Sequence, residues 1–184
     1  GKAGRCDEDD VRAMGRQARG VRGMNLEDGQ SVIAMLVAEQ DDSQHVEPVS
    51  VLCATENGFG KRTSIVEYTR HGRGTKGMIA IQQSERNGRV VAATLVRPAD
   101  EIMLITDRGV LVRTRVSEIR ELGRATQGVT LIALDDGSKL SGLQRIVEND
   151  ANVDAPGDDD ADGGADPASP DTSPTPDTPN LDTP

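Results

Sequence analysis

The sequence of 184 residues holds one phenylalanine, one tyrosine and no tryptophan. Aromatic platforms for stacking successive bases are therefore missing, which disfavours single-strand nucleic-acid recognition. Any core must be built from Val, Ile, Leu, Met and Ala. No run of about 18 apolar residues exists, so no stretch reads as a membrane-spanning helix. Cys6 and Cys53 are the only cysteines and stand without CxxC spacing. They predict reduced thiols of a cytosolic protein. His45, in a polar linker, and His71, in a glycine-rich loop, are the only histidines. Neither lies near a cysteine or a paired carboxylate at ligand spacing, so both read as exposed loop residues. The run Gly72-Arg73-Gly74-Thr75-Lys76-Gly77 lacks the spacing of a phosphate loop, and no helical pattern follows it. No catalytic, metal or cofactor-binding set is therefore expected on this chain.

Cations are missing from one region altogether. From Asn149 to Pro184 there are ten aspartates and no lysine or arginine. All 21 basic residues fall in 1–148, beside 31 − 10 = 21 acids. The net charge of −10 thus belongs to a tail on a balanced domain. Residues 149–184, rich in Asp, Pro, Ala, Gly, Ser and Thr, cannot bury enough apolar area to fold and are expected to be disordered.

What the chain does have is repetition. Counting from Gly109, an arginine stands at offset 4 (Arg113), an acid at 9 (Glu118), an apolar residue at 10 (Ile119), an arginine at 15 (Arg124) and glycines at 19 and 28 (Gly128, Gly137). From Gly58 the same offsets give Arg62, Glu67, Tyr68, Arg73 and Gly77, with the last glycine two residues late at Gly88. From Gly1 they give Arg5, Asp10, Val11, Arg16, Gly20 and Gly29. The registers lie 57 and 51 residues apart, a spacing typical of repeat architectures. Repeats of about 1–38, 49–100 and 101–148 follow, with the polar stretch Glu39–Pro48 as an inter-blade linker. Apolar runs precede Gly58 and Gly109 but not Gly1, which is expected if the chain is cut inside a repeat.

Each full repeat reads as four short strands. In the third they are Ile102–Thr106, Val110–Arg115, Val129–Leu134 and Lys139–Val147, rich in Val, Ile, Leu and Thr. Asp107-Arg108-Gly109 and Asp135-Asp136-Gly137 read as hairpin turns, as do Glu56-Asn57-Gly58 and Arg86-Asn87-Gly88. In the first repeat, Glu27-Asp28-Gly29 and the strands around it are expected to persist. Four strands in about 50 residues is propeller-like, and a closed propeller needs about 4 to 8 blades. The fold class is thus all-β, a partial propeller of about three blades.

The cations recur by repeat position: Arg12, Arg16, Arg19 and Arg22; then Lys61, Arg62, Arg70, Arg73 and Lys76; then Arg113, Arg115, Arg120 and Arg124. Stacked repeats would set them on one rim, a pattern suited to phosphate contacts along a bent duplex without sequence readout. The neighbouring glycines would let backbone N–H groups approach an anion. The competing expectation is structural: the acid at offset 9 could pair with the arginine at offset 4 or 15 inside each blade. Arg73, Lys76, Arg19 and Arg124 are the better candidates for DNA.

The runs ATENGFGKRTSIVEY, SERNGRVV and IMLITDRGVLVRTRVSEIRELGRATQGVTLIALDDGSKLSGLQRI resemble the C-terminal domain family of the DNA gyrase A subunit, over about residues 1–148, and the acidic tail falls in the same place. The resemblance implies a six-bladed β-pinwheel whose blades exchange strands and which wraps duplex DNA on a basic rim. It implies ATP-dependent negative supercoiling, with ATP and Mg2+ on a partner B subunit, an A2B2 assembly, and a bacterial, cytoplasmic, nucleoid-associated setting. The related topoisomerase IV domain and a propeller that binds a protein instead of DNA are the alternatives. Two departures matter. The family's wrapping motif Q-R-R-G-G-K-G is absent, though His71–Gly77 resembles a degenerate copy. The catalytic tyrosine region is also absent. Tyr68 stands at the position of Val11 and Ile119 and reads as a packing residue, so this chain should not cleave DNA.

Overall fold

The computed structural model describes residues 1–38 and 49–147. The predicted linker with His45, and the acidic tail, lie outside them. Among the described residues there are nine strands and three short 3-10 turns. The strands are β1 (Lys2–Ala3), β2 (Ser50–Thr55), β3 (Phe59–Ser64), β4 (Met78–Ile79), β5 (Val90–Val96), β6 (Glu101–Thr106), β7 (Leu111–Arg115), β8 (Val129–Thr130) and β9 (Leu140–Ile146). No α-helix occurs among the described residues, so none there is long and apolar enough to cross a membrane.

Strand β2 lies between the two cores of the described residues. It is buried along its whole length. Successive side chains of a strand point to opposite faces. Val51 and Cys53 therefore enter one core with Tyr68, Ala80 and Ile81, while Leu52 and Ala54 enter another with Val96, Ile102, Leu104, Val116, Ile119 and Leu140. The two cores are the two blade–blade junctions. Strand β6 shows the same rule with one face covered: Ile102, Leu104 and Thr106 are buried and the residues between them are not. Full burial of a leucine is worth about 1.5–3 kcal/mol, so Leu52, Leu104 and Leu140 anchor the second junction.

The four-strand reading of a repeat needs a correction. The second sheet runs β5-β2-β3-β8, and β8 comes from the third repeat. The first pair, β1 with β4, joins repeats one and two in the same manner. Each short strand after the offset-19 glycine is thus handed to the preceding blade, as the family resemblance implied. The third sheet keeps only β7-β6-β9. The predicted strand Val129–Leu134 shrinks to Val129–Thr130, and its partners are Gly60 and Phe59. The glycine turns Asp135-Asp136-Gly137 and Arg86-Asn87-Gly88 exist, but they link strands of different sheets rather than closing hairpins.

The exchange explains a glycine pair. Gly128 has φ +82, and a Cβ there would lie 2.6 Å from the Gly60 carbonyl oxygen. Gly77 repeats this at the first junction, with Ala3 O at 2.8 Å. Only glycine combines the left-handed backbone with so close a strand approach. The turn glycines Gly29, Gly58, Gly88, Gly109 and Gly137 all have positive φ, as expected of them.

The first repeat departs from expectation. Its turn is present, with Gln30 N donating to Glu27 O at 3.0 Å. The apolar stretch 31–38 forms no strand, however, and Val32, Ile33, Met35 and Val37 are exposed. In the other repeats this segment is β5 or β9, which pairs with β2 or β6. Among the described residues the first repeat has no counterpart of β2 or β6, so the segment has no ladder to join. The 3-10 turns Glu8–Asp10, Ile65–Glu67 and Val116–Glu118 fall at offsets 7 to 9 of each repeat. In the second and third repeats they carry the offset-10 residue into a junction: Tyr68 and Ile119 are each 3% exposed.

Candidate nucleic-acid interface

The cations of the repeat divide into two groups. The first group holds the blades together. At offset 4, Arg5 Nη1 donates to Ile65 O at 2.9 Å and to Tyr68 O at 3.1 Å in the next repeat. Arg62 does the same one blade on, with Nε donating to Ile119 O at 2.7 Å and Nη1 lying 3.4 Å from Glu121. The offset-4 arginine is therefore a latch on the neighbouring blade's 3-10 turn. The expected pairing with the acid of its own blade does not occur at Arg5 or Arg62. Arg113, the third copy, is ion-paired to Glu101.

Lys61 is a clear correction. It is fully buried. Its ammonium donates to Gly123 O and, at 2.6 Å, to Arg124 O. Such a group cannot be offered to a phosphate. Burial pulls its pKa down to about 8, against the opposing pull of Cys53 and Glu67. It remains protonated at neutral pH, where its carbonyl acceptors favour the charged form. A signal was present in the sequence: the offset-3 copies are Gly4 and Val112, and valine there marks an inward position.

The offset-15 arginines also reach across a junction. Arg73 Nε donates to Asp10 O at 2.9 Å and its Nη1 to Arg22 O at 3.3 Å. Arg124 Nη1 donates to Ile79 O at 3.3 Å, and its backbone N–H donates to Glu67 Oε2 at 3.2 Å. Glu67, the offset-9 acid of the second repeat, thus serves the next blade rather than its own. Arg73 stays exposed, so its guanidinium can still meet an anion on its outer edge. Arg124 is half-buried. The loop N–H of Gly74 is used in the same way, donating to Gly23 O at 2.7 Å. The chain after Gly77 enters β4, a strand, so the loop lacks the helix N-terminus on which a phosphate loop depends.

The second group faces solvent. Arg12, Arg16, Arg19, Arg22 and Arg120 are exposed and have no ion-pair or hydrogen-bond partner for their side chains among the described residues. Arg12 and Arg120 share offset 11, and Arg19 and Lys76 share offset 18, so the pattern recurs between blades. Lys76 and Lys2 both approach Glu27, at 3.6 and 3.5 Å, and together hold its carboxyl below the usual range, Lys2 most strongly. Arg70 pairs with Asp7 at 2.8 Å, and Arg115 lies 3.8 Å from both Glu101 and Glu118. These pairs are exposed and screened by water, so a phosphate could displace the carboxylate.

Tyr68 is buried in the first junction, and burial pushes its phenol well above the ordinary value. His71 is exposed, and its backbone N–H donates to Arg5 O at 2.8 Å. Among the described residues no cluster of His, Cys, Asp and Glu could hold a metal ion. Cys6 is exposed and Cys53 buried, both unpaired. Asn87, legible in the sequence only as a turn residue, does more. It is fully buried, accepts from Ser84 N at 2.8 Å, and donates to Gln82 O at 2.8 Å and Gln127 O at 3.0 Å. It fixes the third repeat's approach to β8.

Comparison with known proteins agrees with this architecture. Residues 1–39, 50–97 and 100–146 match the family described as DNA gyrase C-terminal domain, beta-propeller. The DNA gyrase A subunit of Pseudomonas aeruginosa is 51% identical over 148 residues, covering 80% of this chain and 15% of that protein. The Escherichia coli (strain K12) protein of the same name is 49% identical over 148 residues, covering 80% and 16%. The chain therefore spans less than a fifth of these relatives. A solved DNA gyrase A C-terminal domain superposes with a TM-score of 0.66 at 29% identity, covering 75% of this chain and 45% of the other. The C-terminal domain of DNA topoisomerase IV superposes at 0.69 with 21% identity, covering 79% and 44%, a likeness of fold. With its three matched blades, exchanged strands and these relatives, the chain belongs to the DNA gyrase C-terminal domain family of beta-propellers.

Proposed function

We propose that this chain is a duplex-DNA-binding, DNA-wrapping part of a bacterial gyrase A subunit, and that it supports ATP-dependent negative supercoiling. One observation carries the reading. The arginines that latch blades are engaged by backbone carbonyls, yet a second set, Arg12, Arg16, Arg19, Arg22 and Arg120, stands exposed with no side-chain partner among the described residues. An exposed cation with no acidic partner breaks no ion pair when it meets a phosphate, and it gains by releasing counterions from the duplex. Lys76, Arg70, Arg73, Arg113 and Arg115 complete the surface by exchanging their present acceptors for phosphate or by adding to the field around it. Successive blades rotate this set, so a duplex following it must bend. Arg62 and Arg124 serve the rim indirectly, by holding the blades that carry it.

The chemistry of strand passage lies elsewhere in this reading: ATP and Mg2+ on a partner B subunit, cleavage on another part of the gyrase A polypeptide, an A2B2 assembly, and work on the bacterial chromosome in the cytoplasm. The test is direct. The full chain is titrated with two duplexes of unrelated sequence and with one single strand, across a range of salt. The expected result is equal affinity for the duplexes, weaker binding to the single strand, and a steep fall with salt. Strong preference for one duplex, or binding insensitive to salt, would overturn the reading.

A further inference from the structure

The two blade junctions are built alike in backbone and unlike in side chains. At both, the offset-13 amide donates to the carbonyl of the offset-4 arginine: His71 N to Arg5 O at 2.8 Å, and Leu122 N to Arg62 O at 2.9 Å. Beyond that the first junction is held by half-buried Arg5 on Ile65 O and Tyr68 O, exposed Arg73 on Asp10 O and Arg22 O, and the exposed Arg70–Asp7 pair, whereas the second adds bonds from fully buried side chains. Thr63 Oγ1 donates to Leu122 O at 2.7 Å, Lys61 caps Gly123 O and Arg124 O, and Glu67 accepts from Arg124 N. With Arg62 on Ile119 O, side chains of the second repeat meet the backbone of the loop 119–124 at five places. Ser50 Oγ adds a bond to Glu121 at 3.2 Å. At the first junction Gly4 stands where Lys61 stands, and Cys6 where Thr63 stands. The Met24 side chain lies over Gly4, with Cγ 3.5 Å from the position of a Cβ. A thioether is flexible and offers carbonyls no hydrogen bond donor.

We propose that Lys61 is a positioning residue: with Thr63 and Glu67 it clamps the third repeat's loop, so that repeats two and three carry their cations as one rigid body, and the junction of Gly4 and Met24 is the compliant joint at which bound DNA can change its curvature. Buried hydrogen bonds to a charged donor are the strong class, and removing the donor takes that bond from Arg124 O and leaves Gly123 O with Thr126 Oγ1 alone. Local opening follows the weakest set of interactions, so the joint is the junction whose side-chain donors are exposed or half-buried and none fully buried. The inference rests on the DNA reading only for its last step, because rigidity is measured without DNA.

The experiment is amide hydrogen exchange on the full 184-residue chain, comparing His71 with Leu122 after correction for intrinsic rates. Leu122 should exchange at least about tenfold more slowly, the factor expected for charge-assisted bonds at that junction. Lys61→Met should bring Leu122 close to the rate of His71, while amides of β2 stay protected. Equal rates in the unaltered chain, or a Leu122 unmoved by Lys61→Met, would overturn the proposal. If Lys61→Met loses protection everywhere, Thr63→Val decides: faster exchange confined to Leu122 and its neighbours supports the clamp, and no change refutes it. A second readout separates positioning from contact. Lys61→Met should leave the salt slope of DNA binding unaltered and broaden the end-to-end distance of a bound, end-labelled duplex. A slope flattened by about one would make Lys61 a phosphate contact and end the proposal.

Discussion

Alanine at Gly128 would place a methyl carbon 2.6 Å from the Gly60 carbonyl oxygen and force φ +82 on a residue that has a side chain. The backbone strain alone is about 1–2 kcal/mol. The overlap adds to it, because the obstacle is a carbonyl in β3 and not the end of a flexible side chain. To relieve it, β8 must move away from β3, weakening a two-residue ladder and the bond from Leu131 N to Gly58 O at 2.8 Å. Each such bond is worth about 0.5–1.5 kcal/mol. The expected total is about 2–4 kcal/mol, or a melting point lower by roughly 5–15 °C in a unit of this size. Gly109→Ala is the control. It has nearly the same φ, +81, but nothing within 4 Å of the added carbon, so it should cost the strain alone. Calorimetry of both variants, with amide exchange at Leu131, measures the difference. If the two variants melt together, the strand exchange does not depend on the close approach of Gly128 to Gly60, and the reasoning fails.

Three further outcomes follow from the same geometry. A thiol reagent should modify Cys6 at once and leave Cys53 unmodified until the chain unfolds, since Cys53 is 4% exposed and burial raises its pKa; labelling followed by mass spectrometry checks this. Lys61 has a folded pKa of about 8 against an ordinary 10.5, so the unfolded chain binds the extra proton between those values. Its contribution to stability is therefore lost as pH falls through 8 and fully present only above 10.5, whereas the raised pKa values of Cys53 and Tyr68 act in the opposite sense at alkaline pH. Measured by urea unfolding from pH 7 to 10, the unaltered chain should gain stability relative to Lys61→Met as pH rises, and a difference flat across that range would refute the depressed pKa. Deleting residues 149–184, with their ten aspartates, should raise DNA affinity most at low salt, because a tethered polyanion competes there most strongly for the same cations; equal affinities at low salt would reduce the tail to a solubilising appendage.

The strand positions and the turn glycines were legible in the sequence because they depend on local chemistry. Alternation in Ile102–Thr106 and the Asn57-Gly58 turn mean the same thing in any sheet. Strand exchange was not legible from the residues alone. Val129-Thr130 has the same period-2 pattern whether it pairs with β3 or with β7, and only the family resemblance pointed to it. The rim cations divided for a related reason. Arg62, Arg73 and Arg124 donate to backbone carbonyls, and a carbonyl has no letter in a sequence. The acid at offset 9 is therefore the wrong acceptor for a latch arginine of its own blade. Lys61 was readable in principle, because Val112 at the same offset marks an inward position, and burial parity there outweighs charge.

The division of cations into latches and free contacts is the central claim, and the salt dependence of duplex binding tests it most directly. Log affinity is measured against log salt for the unaltered chain, for Arg12→Ala with Arg19→Ala and Arg120→Ala, and for Arg62→Ala. The triple variant should flatten the slope by about one for each phosphate no longer neutralised, equally on any duplex sequence. Arg62→Ala should lower stability while leaving the slope where it was. A flattened slope for Arg62→Ala together with an unchanged slope for the triple variant would contradict the account.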